Sequence, residues 1–158
     1  MLRISLENPE SGWAYARLSD GDKELVLTAP YTPIDAIRDL ADAVQSLQTA
    51  DSAHCCWCQE PGELHWNLRR RDSELEIEIL RFAEIVIPGR HRDDAESIFK
   101  ARGKWLTFAR QLLSSLESIK ANLGPDGYER AWRHPFPTEA QEKLREAIKR
   151  CTKVSPSD

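Results

Sequence analysis

The stretch that decides the fold is residues 63–82, ELHWNLRRRDSELEIEILRF. Apolar and polar side chains alternate strictly on both sides of residues 71–73. Because strand side chains point to opposite faces with a period of two, this alternation predicts an antiparallel hairpin that is buried on one face. The residues predicted to face the core are Leu64, Trp66, Leu68, Leu75, Ile77 and Ile79. A slip of one residue would bury glutamates, so the pattern also specifies the register.

The other face of this hairpin is predicted to be polar, with basic residues on one strand and acidic residues on the next. These residues are His65, Asn67, Arg69, Arg71, Glu74, Glu76 and Glu78. Opposite charges on neighbouring strands contribute about 0.2–1 kcal/mol per pair. General acid–base catalysis needs a carboxyl group whose pKa is shifted by burial or by a neighbour. The glutamates opposite arginines therefore indicate a solvated face and not a catalytic pair.

Composition and charge narrow the class of protein. The chain has 158 residues, of which 41% are hydrophobic and 30% charged, and this predicts one soluble domain with its own core. The net charge of −4 argues against a nucleic-acid partner, because phosphates are bound by excess Lys and Arg. No apolar run approaches the roughly 20 residues of a membrane span, and residues 1–7 lack the apolar core of a signal peptide. We therefore expect a cytoplasmic protein that does not bind membranes.

The cysteines predict reduced thiols, because three of the four lie at 55, 56 and 58 and do not form a disulfide framework. Cys55 and Cys58 have a Cys-x-x-Cys spacing, but the second pair of ligands typical of zinc sites is missing. Residues three apart also point to opposite faces of a strand. We therefore predict small buried hydrophobic residues and neither a metal site nor a cofactor. No nucleophile motif or phosphate loop is present, so we expect no catalytic residue and no enzyme activity.

The order of elements predicts two βββα segments followed by a helical appendage. Strands are expected over 2–7, 13–18, 24–29, 54–58 and the two arms of the hairpin, and helices over 33–47, 94–123 and 138–149. Positions fifty apart match, such as Gly12 with Gly62 and Leu18 with Leu68. These matches indicate a pseudo-repeat, although two meanders of similar length would also give them by pattern alone.

The predicted architecture is a single α+β domain over residues 1–158. It consists of two halves, 1–50 and 51–123, with a helical segment over 124–150. The strands are expected to form one six-stranded, mostly antiparallel sheet with the helices on one face. The opposite face would then be open to solvent.

The candidate site is this open face, which we interpret as a protein-binding surface. Its residues are Trp13, Tyr15, Arg17, His65, Asn67, Arg69 and Glu76. Trp, Tyr and Arg are enriched among the residues that dominate binding energy. In the alternative, the C-terminal segment covers Trp13 and Tyr15, for example with Trp132 and Phe136.

Three short motifs carry a resemblance to known proteins. They are Ser-Gly-Trp-Ala at 11–14, Glu-Pro-Gly-Glu at 60–63 followed by Trp66, and Phe-Ala-Arg at 108–110. Across residues 11–148 the chain resembles a widespread group of small bacterial proteins without an assigned activity. This group is similar in size, acidity and α+β make-up to immunity proteins, which neutralise toxins of competing bacteria. The resemblance implies a bacterial protein-binding domain and no catalytic residue.

Three hypotheses of function follow. In the first, the chain is a non-enzymatic domain of immunity type whose acidic balance favours a basic partner such as a nuclease toxin. In the second, it is a homo-oligomeric structural protein that pairs through the same sheet face. In the third, it binds a small molecule, or is an enzyme, with a pocket between the sheet and the loop 88–94 around His65 and His91. A dry pocket with a perturbed titratable group would favour the third hypothesis.

Overall fold

The computed structural model describes residues 1–59, 61–83 and 95–154. These residues form an α+β fold with three helices and two antiparallel sheets. The first sheet has the order β1 (Leu2–Leu6), β2 (Trp13–Asp20), β3 (Lys23–Pro30). The second has the order β4 (Ser52–Cys58), β5 (Glu63–Arg71), β6 (Glu74–Phe82), β7 (Glu96–Lys104). The helices are α1 (Ala36–Ser46), α2 (Trp105–Trp132) and α3 (Thr138–Val154).

The predicted hairpin is confirmed as β5 and β6. Trp66 lies opposite Ile79 and Arg69 opposite Glu76, and the two strands are joined at Asp72. Asp72 has a φ of 55°, a left-handed conformation that Asp tolerates better than most residues. All six residues predicted to face the core are buried.

The prediction of one six-stranded sheet built from two βββα halves is wrong. The described strands form a sheet of three and a sheet of four, and the element order is βββα-ββββαα. The unexpected strand is β7, which occupies residues predicted to begin the long helix. β7 pairs with β6 so that Ala101 lies opposite Ile77 and Phe99 opposite Ile79. This pairing satisfies the backbone groups of β6, which would otherwise be an exposed edge.

Two buried indoles join helix α1 to the second sheet, one from β4 and one from the residue that follows β7. The indole Nε1 of Trp57 donates a hydrogen bond to the carbonyl of Ala36, and that of Trp105 donates to the carbonyl of Val44. The helix begins after Asp35, whose carboxylate accepts a hydrogen bond from the backbone N–H of Arg38 at 3.2 Å. Such N-terminal caps satisfy a backbone donor that the helix itself leaves unpaired.

Helix α2 protects the free edge of β1. The backbone N–H of Ile4 donates to Gln111 Oε1, and that of Leu6 donates to Ser115 Oγ, both at 3.0 Å. Edge strands that lack such cover pair with other chains. The helix was predicted to end at about Leu123, just before Gly124, and at Gly124 the backbone does leave the helical region, with φ 67° and ψ 166°. A second helical stretch then continues to Trp132.

The aromatic residues at the end of α2 are part of the core. Tyr128 and Trp132 are fully buried, and the ring of Phe136 packs edge-on against Tyr128 at 5.1 Å. Trp132 Nε1 donates to Asp35 Oδ1 at 2.9 Å, which anchors this segment beside the start of α1. In the part of the chain that the structure describes, no helix is long and apolar enough to cross a membrane.

Candidate functional site

The seven residues predicted to form one site are divided between the two sheets. Three of them, Trp13, Tyr15 and Arg17, lie on β2 of the first sheet. The other four lie on β5 and β6 of the second sheet and are His65, Asn67, Arg69 and Glu76. The prediction of one continuous sheet face is therefore wrong, because the two groups lie on separate sheets.

The first group belongs to a surface that we call the aromatic patch, formed by Trp13, Tyr15, Arg17, Val26 and Thr28. In the register of β2 and β3, Tyr15 lies opposite Thr28 and Arg17 opposite Val26. Trp13 is 37% exposed and Val26 is 49% exposed. Apart from Met1, these are the exposed large hydrophobic residues of the described chain. Of the three exposed large hydrophobic side chains, Met1, Trp13 and Val26, the last two therefore lie on one face of one sheet.

Arg17 is held in place within the aromatic patch by two acidic residues, one on each side of β2. Its Nη1 donates to Glu24 Oε1, and its Nη2 donates to Glu7 Oε1 at 3.3 Å. These two hydrogen bonds raise the pKa of the Arg17 guanidinium above its ordinary value. Exposed ion pairs add little to stability, but here they orient a cation beside the exposed side chain of Val26.

The C-terminal segment reaches the end of the aromatic patch without covering it. The backbone N–H of Gly12 donates to the carbonyl of Ala131 at 2.8 Å. Trp132 and Phe136 are turned into the core. Trp13 therefore stays exposed, and the alternative in which those two aromatic residues cover it does not describe the structure.

The second group lies on a charged face formed by β5, β6 and β7. The arginines of β5 do lie opposite the glutamates of β6, as predicted, but the ion pairs that the structure shows run to β7. They join Lys104 to Glu74 at 2.9 Å, Arg102 to Glu76 at 3.0 Å and Lys100 to Glu78 at 3.7 Å. The hydrogen bond from Lys104 lowers the pKa of Glu74. This face carries both signs of charge, joined in exposed ion pairs, and is solvated, as the sequence indicated.

A groove of about 560 Å³ crosses the charged face and is lined by three of the predicted residues, Asn67, Arg69 and Glu76. Its remaining walls include His54 and further charged side chains. Small-molecule sites are mostly apolar with a few polar groups, so this groove gives the small-molecule hypothesis little support. The loop 88–94 of that hypothesis, with His91, lies outside the described residues.

His65 is not the solvated residue that its outward position predicted. Its side chain is only 17% exposed. Its Nε2 lies 2.8 Å from Glu63 Oε2 and 3.8 Å from Cys56 Sγ, and its Nδ1 lies 2.8 Å from His54 Nε2. The ring of Phe82 packs edge-on against it at 4.7 Å. His65 is therefore part of a cluster and is withdrawn from the charged face.

This cluster consists of Cys56 and Cys58 on β4 and Glu63 and His65 on β5. The ligand atoms of the first three all lie within 4.8 Å of one another. Within the described residues, Cys56, Cys58 and Glu63 are the group of Cys, His, Asp and Glu side chains whose ligand atoms lie close enough together to hold a metal ion, and His65 lies beside this group. The Cys-x-x-Cys spacing pairs residues 55 and 58, which do face opposite sides of the strand. Residues 56 and 58, in contrast, share a face.

Burial sets the protonation of the cluster. It raises the pKa of both Cys56 and Cys58 above the ordinary value, and the nearby Glu63 raises both further. Burial and the neighbouring His65 lower the pKa of His54. At neutral pH the isolated cluster therefore holds neutral thiols and a neutral His54 imidazole.

No protein-family model, curated protein or solved structure matches this chain. The resemblance to immunity proteins therefore stays a hypothesis that these comparisons do not test.

Proposed function

We propose that the chain is a non-enzymatic protein-binding domain that captures its partner on the aromatic patch. The observation that carries this proposal is the exposure of Trp13. The other four tryptophans, Trp57, Trp66, Trp105 and Trp132, are fully buried. The fold thus has room for indoles in its core and still leaves one exposed on the face of the first sheet that also carries the exposed Val26.

The aromatic patch has the composition of a binding hot spot. Trp13, Tyr15 and Arg17 follow one another on one face of β2, and these three residue types dominate binding energy in protein interfaces. Each Å² of apolar surface that a partner covers contributes about 25 cal/mol. The ion pairs of Arg17 with Glu7 and Glu24 fix its side chain before binding, which lowers the entropy cost of association.

The charge of the chain favours a basic partner. With a net charge of −4, the domain attracts cationic proteins at long range and speeds their association. The setting that fits best is the bacterial cytoplasm, with a basic toxin such as a nuclease as the partner and the chain as its immunity protein. Both the charge and the sequence resemblance support this choice.

The proposal is tested by co-purification with the protein encoded by the neighbouring gene. We expect the Trp13→Ala, Tyr15→Ala double variant to bind this partner about 10–100-fold more weakly, because truncated hot spots cost 2 kcal/mol or more. Affinity measured by calorimetry checks this, with circular dichroism to verify the fold. The matched control is Glu74→Gln with Lys104→Gln, which removes an ion pair from the charged face at constant net charge and should leave the affinity unchanged.

Unchanged affinity of the double aromatic variant would reject the aromatic patch as the binding surface. Light scattering of the chain alone separates partner capture from self-association through the same surface. A dimer that the two aromatic substitutions dissociate into monomers would favour the homo-oligomer hypothesis instead.

A further inference from the structure

A second site lies on the other sheet, where strand pairing brings four side chains with metal-binding atoms together. Cys56 lies directly opposite His65, and Cys58 lies directly opposite Glu63. Residues two apart on a strand share a face, so the four side chains form the corners of a square on one face of the strand pair β4 and β5. Trp57 and Leu64, which alternate with them, point into the core.

The ligand atoms of Cys56, Cys58 and Glu63 lie within 4.8 Å of one another, and His65 Nε2 lies next to those of Cys56 and Glu63. With zinc bonds of about 2.3 Å to sulfur and about 2.0–2.1 Å to nitrogen or oxygen, ligand atoms lie about 3.3–3.8 Å apart. Cys56 Sγ is 3.8 Å from His65 Nε2. Glu63 Oε2 is 2.8 Å from the same nitrogen, so these two atoms need to separate by only about 0.5 Å to share an ion.

The hairpin connection fixes the relative position of the two strands. The backbone N–H of Gln59 donates to the carbonyl of Gly62 at 2.8 Å. Gly62 has a φ of 98°, and a Cβ there would lie 2.4 Å from the carbonyl oxygen of Phe82. Only glycine allows this close approach to the end of β6, while the hydrogen bond from Gln59 to Gly62 sets Cys58 against Glu63.

His65 has the supporting contact that is typical of a metal ligand. Ligating histidines almost always donate the N–H of their second nitrogen to a neighbouring acceptor. With Nε2 directed at Cys56 and Glu63, the Nδ1 of His65 is 2.8 Å from His54 Nε2. His54 therefore fixes the orientation of the His65 ring from outside the ligand set.

The cluster has an excess of groups that become anionic. Glu63 is 8% exposed and lies beside two thiols, and His65 is the one basic group of the four. Without a metal, the hydrogen bond between His65 Nε2 and Glu63 Oε2 and two protonated thiols satisfy the cluster. A divalent cation would bind the two thiolates, the imidazole and the carboxylate together and would release the thiol protons to solvent.

From this arrangement we propose that Cys56, Cys58, Glu63 and His65 bind one zinc ion. Thiolate and imidazole ligands select zinc over magnesium and calcium, which prefer oxygen. Four protein ligands complete the tetrahedron, so the ion is structural and locks β4 to β5. This site is independent of the aromatic patch.

The test is a zinc titration of the purified, reduced, metal-free chain against a chromophoric chelator, together with Co²⁺ as a spectroscopic probe. We expect one zinc per chain and, with Co²⁺, a thiolate charge-transfer band with intense visible bands of a tetrahedral ion. The Cys56→Ser, Cys58→Ser double variant should bind at least about 100-fold more weakly, because even loss of a supporting residue costs 10–100-fold. Cys151→Ser, which removes a distant thiol, should bind as the wild type does.

A thermal melt with and without zinc supplies a second readout, which does not depend on the cysteine variants. Zinc at about 100 times its Kd should raise the Tm of the wild-type chain by about 5–10 °C. It should raise that of Trp13→Ala, Tyr15→Ala equally. Absence of zinc binding, retention of full affinity by the double serine variant, or a Co²⁺ spectrum without the thiolate band would overturn the proposal in favour of a metal-free, hydrogen-bonded cluster.

Discussion

Replacing Trp105 by alanine is expected to lower the free energy of unfolding by about 3–5 kcal/mol, the usual cost of truncating a fully buried tryptophan. Trp105 is the first residue of α2 and is fully buried. Its indole Nε1 donates to the carbonyl of Val44 at 3.0 Å, and the guanidinium of Arg70 lies 4.5 Å from its ring centroid. One side chain thus connects α1, β5 and α2, so its loss removes contacts from three elements at once.

Urea unfolding followed by circular dichroism measures this loss. The matched control is Trp13→Ala, the same chemical change at a position that is 37% exposed, which should lower the free energy of unfolding by clearly less than Trp105→Ala because less apolar surface is buried there. Equal losses for the two variants would show that Trp105 does not hold these elements together.

Replacing Gly62 by alanine is expected to destabilise the fold by about 2–4 kcal/mol, as the sum of backbone strain and steric overlap. The new Cβ would meet the carbonyl oxygen of Phe82 at 2.4 Å, and φ at this position is 98°. Because the contact atom belongs to the backbone, rotation of a side chain does not relieve the overlap.

The matched control is Gly21→Ala in the turn between β2 and β3. Gly21 also has a positive φ, 61°, but a Cβ there would meet nothing within 4 Å. This variant should lose only about 1 kcal/mol, the cost of the left-handed conformation alone. Denaturant unfolding of both variants separates overlap from backbone strain, and similar losses would contradict the role assigned to the close approach at Gly62.

The sequence predicted those elements whose apolar period is strong and local. The alternation over residues 63–82 predicted β5, β6 and their register, because a one-residue slip would bury charge. The helical period over 33–47 predicted α1, and Gly124 marked the break in α2. In each case the deciding information lies within one stretch of chain.

What the sequence did not predict depends on contacts between distant segments. Strand β7 has only Phe99 and Ala101 as buried apolar residues, and the strong helical period that starts at Trp105 obscured it. The division of the strands into two sheets depends on which strand edges meet in space. The edge of β1, for example, is covered by α2 through Gln111. Spacing along the chain carries no trace of that contact.

The cluster of cysteines, Glu63 and His65 was missed for a related reason. Spacing along β4 drew attention to Cys55 and Cys58, which face opposite sides. The informative comparison is across the strands, where the register places Cys56 opposite His65. A Cys-x-Cys followed by Glu-x-His around a short turn is the signal that would have found it. The β2 part of the aromatic patch, by contrast, followed directly from alternation along Trp13–Asp20.

The most direct test of the central claim, capture of a protein on the aromatic patch, is amide hydrogen exchange of the chain with and without the neighbouring gene's product. Complex formation is expected to slow exchange over residues 13–17 and 24–28 and to leave 74–80 and 96–104 unchanged. Protection confined to 74–80 and 96–104, with no change along β2 and β3, would contradict the account.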